Sequence, residues 1–269
     1  MLTPFMLYVA SLAPPERLAP HRDGIARALA HADDPVDEYP SYTRALRVLA
    51  LVRHKPSGWE KRVERLTREL CDSQLVESNG WSPDDPEYGG WDYGGVPPKK
   101  PHCQRPDIST TAFAVEALRA AGAPESAAAR RFASTCRNAD GGAFFTPSAR
   151  WVVPQNKAGP ADGGWRSYGT ASADAAFVLS ESQWLDKHFT ALRTPGFPES
   201  AERWDEALQY YWLFAAARAG RRDPAIRARL AALQRADGSW ANAHSLMKED
   251  DPLLATGLAL AAWYLGAPR

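Results

Sequence analysis

The sequence predicts an all-α protein, specifically an α/α toroid built from helical hairpin repeats, and three observations support this fold class. The first is a recurring helix end in which Gln234 is followed by Gly238 and Trp240, and Gln74 by Trp81. Glycine at such an end tolerates the positive φ that closes a helix. From Trp81 to Trp240 there are 159 residues, which corresponds to three repeats of roughly 53 residues, the length of a helical hairpin.

The second observation is that helical segments alternate with loops rich in Gly, Trp and Pro, and no segment resembles a strand. Asp-Pro steps at Asp223 and Asp251 are typical helix starts, and Gly122 and Gly220 are typical helix ends. We expect eleven helices, near residues 3–13, 15–31, 40–54, 57–75, 107–122, 124–138, 167–183, 184–192, 201–219, 223–236 and 251–266.

The third observation is that these helices are of two kinds. Some, such as 253–263, are apolar on every side, and others, such as 59–66, are amphipathic and rich in arginine. A helix that is apolar all round is buried all round, whereas an amphipathic helix keeps one face in water. We therefore expect an inner ring that includes helices 107–122, 167–183, 201–219 and 251–266 around one cavity. The whole chain, residues 1–269, is expected to form this single domain.

Composition excludes several functions. Lys and Arg together number 32, as do Asp and Glu, so no net field attracts nucleic acid. No apolar stretch approaches the roughly 20 residues that span a bilayer, and we expect no transmembrane segment. The three cysteines lack Cys-x-x-Cys spacing, which favours free thiols in a reducing compartment. We expect a cytoplasmic protein, either free or peripheral to a membrane, without a cofactor.

Several motifs resemble those of the prenyltransferase and squalene-oxidase repeat family. They are the Gln-Gly-Trp (QW) element ending at Trp240, the segment 106–112 before an inner helix, and the segment 88–93. The match is nearer to squalene-hopene cyclase-like proteins at segments 156–159 and 166–169. The resemblance covers residues 37–266 and implies an α/α toroid that binds an isoprenoid or similar apolar ligand.

The same resemblance implies a proton donor at the start of an inner helix. Family cyclases carry their acid in an Asp-x-Asp-Asp-Thr-Ala element, and the matching stretch here begins at Asp107 but has Ser109 in place of the donor. A serine cannot protonate an alkene, so the family's cyclase activity is not expected here. Asp107 is either an N-cap or a residual acid at the rim of the cavity.

Two segments have residues typical of metal sites, and neither is expected to bind a metal. Family members that transfer prenyl groups to proteins bind zinc through Asp, Cys and His, and the nearest such residues are His102, Cys103 and Asp107. Zinc needs three or four converging ligands, and the prolines around these residues oppose convergence. The segment 33–37 matches the Asp-Asp-x-x-Asp pattern that holds magnesium in other terpene synthases, but its Asp-Pro step is better explained as the start of a helix.

Asp174 is the strongest candidate for an acid. It lies in the middle of an otherwise apolar helix, among alanines at 171, 173, 175 and 176. Burying an unpaired carboxylate is costly, so Asp174 faces a partner or a polar cavity. If it is desolvated, its pKa rises and it can donate a proton near neutral pH. The alternative is a structural salt bridge to an arginine such as Arg166.

Aromatic residues on or near the inner helices are the candidate ligand contacts. Aromatic faces stabilise cations, which suits a cavity that handles carbocations, although core packing explains the same residues. The predicted ligand-binding residues are Tyr42, Tyr168, Trp204, Tyr211, Phe214 and Trp263.

Three functions therefore stay open. The first is an isoprenoid-binding toroid, which if catalytic would be a cyclase or isomerase using Asp174 or, second, Asp107. The second is a non-catalytic binding or protein-interaction module. The third is a glycan-acting α/α enzyme, which would need paired carboxylates across a groove.

Overall fold

The computed structural model describes residues 2–31, 39–94, 105–148, 156–199 and 202–267. The chain divides into two compact units, described separately below. Unit 1 comprises Met1–Thr135 and Thr146–Arg150, and unit 2 comprises Cys136–Phe145 and Trp151–Arg269. The prediction that residues 1–269 form one domain stays a prediction.

In unit 1, three largely buried helices are consecutive neighbours, and amphipathic helices pack against them. Helix α4 packs between α1 and α6, while α3 packs on α1, α5 on α4 and α7 on α6. Two short 3₁₀ turns, Ala19–His21 and Glu77–Asn79, complete the described secondary structure of this unit. The α-helices are α1 (Leu2–Ala10), α2 (Pro15–Leu18), α3 (Arg22–His31), α4 (Pro40–His54), α5 (Trp59–Asp72), α6 (Ile108–Ala120) and α7 (Ala127–Thr135).

Unit 2 repeats this arrangement. Helix α11 packs between α8 and α13, while α9 packs on α8 and α12 on α13. Two two-residue strands, β1 (Pro160–Ala161) and β2 (Gly164–Trp165), pair antiparallel with Ala161 opposite Gly164. The α-helices are α8 (Gly169–Leu179), α9 (Gln183–His188), α10 (Trp204–Ala207), α11 (Gln209–Arg218), α12 (Pro224–Leu233) and α13 (Pro252–Leu265).

The all-α fold class is confirmed, and helical hairpins of the kind expected in a toroid are present. The apolar helices are buried as predicted: every residue of α6 from Ile108 to Val115 is buried, and so is every residue of α11 from Trp212 to Arg218. The predicted helix starts at Asp223 and Asp251 are also confirmed, because each carboxylate accepts a backbone N–H of the first turn.

Two predicted helices are interrupted. The segment 15–31 contains α2, a 3₁₀ turn and α3, because Pro20 cannot donate a backbone hydrogen bond. The segment 201–219 breaks at Leu208, whose φ of −107° and ψ of 20° are not helical. The second break gives α11 a new N-terminus inside unit 2. The β1–β2 hairpin was not predicted, since two-residue strands leave almost no sequence pattern.

Tryptophan side chains donate to backbone carbonyls at the C-terminal ends of α5 and α12. The Trp240 indole N–H donates to the carbonyl of Leu230 at 2.8 Å, at the C-terminal end of α12. The equivalent bond at the end of α5 comes from Trp91, whose indole N–H lies 2.7 Å from the carbonyl of Leu70. Trp81 is 2% exposed and packs with Leu75 and Tyr88, and its role in closing the repeat turn stays a prediction.

Among the described residues, no helix is both long and apolar enough to cross a membrane.

Candidate functional site

Helices α8 and α11 bring together the main candidate site, which lies entirely in unit 2. Its five residues are Asp174 and Phe177 on α8, and Tyr211, Phe214 and Arg218 on α11, here called the α8–α11 cluster. Positions three, four or seven apart lie on one face of a helix. The spacings within each helix therefore aim these side chains at the neighbouring helix.

A buried ion pair lies at the centre of the cluster. The Arg218 guanidinium donates to Asp174 Oδ1 at 2.5 Å, and both side chains are only 1% exposed. The Tyr211 hydroxyl donates to the other carboxylate oxygen, Oδ2, at 3.0 Å. The prediction that Asp174 faces a polar partner is therefore correct, and its partner is Arg218 rather than Arg166.

Aromatic rings surround the guanidinium. The Arg218 carbon Cζ lies 5.3 Å from the ring centre of Phe177 and 5.0 Å from that of Phe214. The rings of Tyr211 and Phe214 meet edge to face, with centres 5.9 Å apart. Phe177 and Tyr211 are half-buried, whereas Phe214 is fully buried. The charged groups are thus inside, and two aromatic side chains are partly accessible.

A glycine allows α8 to approach α11 closely. A Cβ added at Gly169, the first residue of α8, would lie 2.7 Å from Pro195 and 3.0 Å from the ring of Trp212 on α11. Contacts this short require a neighbour to move, so a larger residue would push the two helices apart. Gly169 therefore helps to set the distance across which Asp174 reaches Arg218.

The N-terminus of α11 is closed by a carboxylate from a distant loop. Glu249 accepts the backbone N–H of Tyr210 on Oε2 at 2.9 Å and that of Tyr211 on Oε1 at 2.8 Å. These two donors lack helical partners because the chain breaks at Leu208. The Asn242 amide donates a longer bond of 3.4 Å to Oε2.

Burial controls the ionisation of Glu249. Desolvation raises the pKa of Glu249 to about 8, against the opposing effect of the two backbone N–H groups and of Asn242. Burial also raises the pKa of Tyr210 to about 12, and the charge of Glu249 adds to this effect. Glu249 is thus a buried carboxyl group that titrates near physiological pH.

In unit 1, Asp107, the second candidate acid, acts as a helix cap. Asp107 Oδ1 accepts the backbone N–H of Thr110 at 2.8 Å, and Oδ2 accepts the Thr110 hydroxyl at 2.7 Å. Ser109, which replaces the family's proton donor, is buried on the same first turn of α6. The structure thus shows the N-cap that the sequence offered as one of two roles for Asp107.

Tyr42 belongs to a group of aromatic rings at the start of α4. Its ring centre lies 5.4 Å from that of Phe113 on α6 and 6.1 Å from that of Tyr93. Tyr39 meets Tyr93 edge to face at 5.6 Å and is 47% exposed. Tyr42 therefore lies in an aromatic cluster of unit 1.

Three other predicted ligand residues have partners outside the α8–α11 cluster. The Tyr168 ring is buried at 4.9 Å from Phe197, and the Trp204 indole N–H donates to Glu202. The Arg227 guanidinium of α12 lies 4.9 Å from the ring centre of Trp263. Of the eight predicted site residues, three, namely Asp174, Tyr211 and Phe214, come together.

The metal-site candidates lie largely outside the described residues, which exclude His102, Cys103 and segment 33–37. Within the described ranges, no group of three or more His, Cys, Asp or Glu side chains is placed to hold a metal ion.

Sequence reasoning missed three important residues: Phe177, Arg218 and Glu249. Arg218 had a recognisable pattern, because it ends an apolar helix and Asp174 interrupts another, so that two buried opposite charges would pair. Glu249 had none, since it lies in an acidic run, 249–251, that resembles an exposed loop.

No family profile matches this chain, and no curated protein sequence matches it. Among solved structures, it is similar to two substituted forms of the type II terpene cyclase MstE from Scytonema, each in complex with geranylgeranyl dihydroxybenzoate. An Asp-to-Asn form has 17% identity and a TM-score of 0.49, and an Arg-to-Ala form has 16% identity and a TM-score of 0.48. Each match covers 86% of this chain and 68% of the other. Similarity at this level carries no argument about what this chain binds or catalyses.

Proposed function

We propose that this chain binds an isoprenoid or a similar apolar molecule against the accessible aromatic side of the α8–α11 cluster. The observation that carries the proposal is the arrangement of Phe177 and Tyr211, which are half-buried over a fully buried Asp174–Arg218 ion pair. Ligand sites are typically apolar and aromatic, with a few placed polar groups.

The charges of the cluster favour an uncharged ligand. Asp174 and Arg218 neutralise each other, and their side chains are 1% exposed. An anionic head group such as a diphosphate would find no unneutralised cation in this pair. A hydrocarbon chain instead gains by burying apolar surface against rings, at about 25 cal/mol for each Å².

The hydrogen bonds favour binding over acid catalysis. Asp174 accepts from both Arg218 and Tyr211, and protonating it would give up the charge that the guanidinium stabilises. Both oxygens of Asp107 accept from Thr110. Neither carboxylate is arranged as a proton donor, so the proposed activity is binding without acid chemistry.

Two matched phenylalanine variants test this function. Phe177 and Phe189 are both half-buried residues of unit 2, and each ring lies beneath an arginine, at 5.3 Å from Arg218 and 4.7 Å from Arg221 respectively. Binding of farnesol and squalene would be measured by isothermal titration calorimetry with the wild type, Phe177→Leu and Phe189→Leu.

We expect saturable binding to the wild type, weakened at least about tenfold by Phe177→Leu, which corresponds to about 1.4 kcal/mol. Phe189→Leu should bind like the wild type. Absence of saturable binding to the wild type, or equal losses in the two variants, would contradict the proposal.

A further inference from the structure

Glu249 is a buried carboxyl group outside the α8–α11 cluster that is linked to it by a hydrogen bond to Tyr211. It binds the backbone N–H of Tyr211, and the hydroxyl of the same tyrosine binds Asp174. Tyr211 is thus held at both ends, by one carboxylate at its backbone and by another at its side chain. The Tyr211 ring lies between its backbone N–H, which donates to Glu249, and its hydroxyl, which donates to Asp174. The residue is half-buried.

The geometry of Glu249 depends on its ionisation state. Each of its two oxygens accepts a backbone N–H, and a carboxylate offers two strong acceptor oxygens for these two donors. A protonated carboxyl group has one carbonyl oxygen and one hydroxyl, so it satisfies one of these donors well and the other poorly. Oε2 accepts two donors, from Tyr210 and Asn242, whereas Oε1 accepts one. The proton therefore belongs on Oε1, the oxygen that faces Tyr211.

We propose that Glu249 is a pH-sensitive positioning residue for Tyr211: as a carboxylate it fixes the Tyr211 backbone, and on protonation at Oε1 it releases it. The two forms are balanced because the carboxylate has the better hydrogen bonds and the neutral acid has the lower desolvation cost. The consequence for a ligand rests on the proposed function above. The switch itself does not depend on it.

Several charged or titratable groups lie around Glu249 and Tyr210, and they include Arg229 and Arg235, whose charges lower the pKa of Tyr210. From α11 Glu249 faces the Tyr210 phenol, whose hydroxyl donates to the carbonyl of Ala241. From the preceding loop it meets Asn242, whose amide also reaches the carbonyl of Glu206 in α10. Glu206 in turn contacts His244 at 2.9 Å. His244 is therefore a second ionisable group connected to this network through Glu206, and the experiment must separate it from Glu249.

The pKa of about 8 that burial gives to Glu249 places the change within reach of solution measurements. Amide hydrogen exchange of the full chain would be followed by NMR with ¹⁵N-tyrosine, and expressed as protection factors that correct for the intrinsic effect of pH. Losing one hydrogen bond costs about 1 kcal/mol. We therefore expect the Tyr211 protection factor to be about fivefold lower at about pH 6 than at about pH 10, with a midpoint near 8 and a smaller change at Tyr210.

Two variants identify the group responsible for the pH dependence of the Tyr211 protection factor. Glu249→Gln should abolish the pH dependence at Tyr211, and His244→Gln should keep it. A protection factor for Tyr211 that does not vary with pH in the wild type would overturn the proposal. So would a midpoint that persists in Glu249→Gln or disappears in His244→Gln.

A direct titration keeps the proposal testable if Glu249→Gln does not fold. The carboxyl ¹³C signals of labelled glutamate in the wild type should include one that titrates near 8 together with the Tyr211 amide. If every glutamate carboxyl titrates near 4.5, the proposal fails. Farnesol affinity measured over the same pH range should change with the same midpoint. If farnesol does not bind at any pH, the proposed function fails while the protection factors still decide the role of Glu249.

Discussion

Removing one partner of the Asp174–Arg218 pair should destabilise unit 2 far more than removing both. The two side chains are 1% exposed and their hydrogen-bonded atoms lie 2.5 Å apart. Replacing Arg218 with methionine leaves a buried carboxylate that keeps its bond from Tyr211 but loses its counter-ion. Breaking a buried pair in this way costs about 3–5 kcal/mol. Asp174→Leu removes the carboxylate that binds the buried guanidinium, with a similar cost.

The double variant Asp174→Leu/Arg218→Met removes both charges and keeps an apolar volume. It should therefore be more stable than either single variant, with a coupling energy of about 3 kcal/mol. Urea unfolding followed by circular dichroism would supply the four free energies of unfolding.

The exposed pair of Glu64 and Arg68 provides the control, since its side chains are 70% and 65% exposed. Either single substitution there should cost under about 1 kcal/mol. Additive costs at Asp174 and Arg218 would refute the idea that this ion pair is the energetic centre of the cluster.

Three further predictions follow from the same structure. Trp240→Ala should lower the free energy of unfolding by about 3–5 kcal/mol, and clearly more than Trp59→Ala. Trp240 is 5% exposed and its indole N–H donates to a helix carbonyl, whereas Trp59 is half-buried. Equal thermal midpoints of the two variants would argue against this. Burial in the folded state raises the pKa of Glu249 from 4.5 to about 8, so the folded protein binds the Glu249 proton more tightly than the unfolded chain does. The free energy of unfolding should therefore fall as pH rises from 4.5 to about 8, by up to about 1.4 kcal/mol for each pH unit. Unfolding of Glu249→Gln should lack this slope, and an identical slope would exclude Glu249 as its source. Since Ser109 stands where the family's acid would be, purified protein incubated with squalene should give no hopene by gas chromatography–mass spectrometry, and detection of hopene would contradict this.

The sequence predicted the helices well because their patterns are local. Caps at Asp223 and Asp251 and all-round apolar helices such as α6 were recognisable from residue type and spacing alone. The break at Leu208 was not, because leucine favours helix and the interruption depends on Glu249, which lies some 40 residues further along the chain.

The candidate site was predicted in part, for the same reason. Asp174 was recognisable because a lone charge in an apolar helix needs a partner, but its partner is set by how α8 packs on α11. Tyr168 and Trp263 resembled ligand contacts by composition, yet each ring packs against a neighbour within its own unit, Phe197 and Arg227 respectively. Residue type indicated which side chains were unusual, and only packing decided which of them meet.

Photo-crosslinking with a diazirine analogue of farnesol tests most directly whether an apolar ligand lies against α8 and α11. Peptide mass spectrometry would locate the label, with excess farnesol as competitor. We expect competed labelling within 169–179 or 209–218, reduced in Phe177→Leu and unchanged in Phe189→Leu. Labelling that farnesol does not compete, or competed labelling confined to other segments such as α12, would contradict the proposed site.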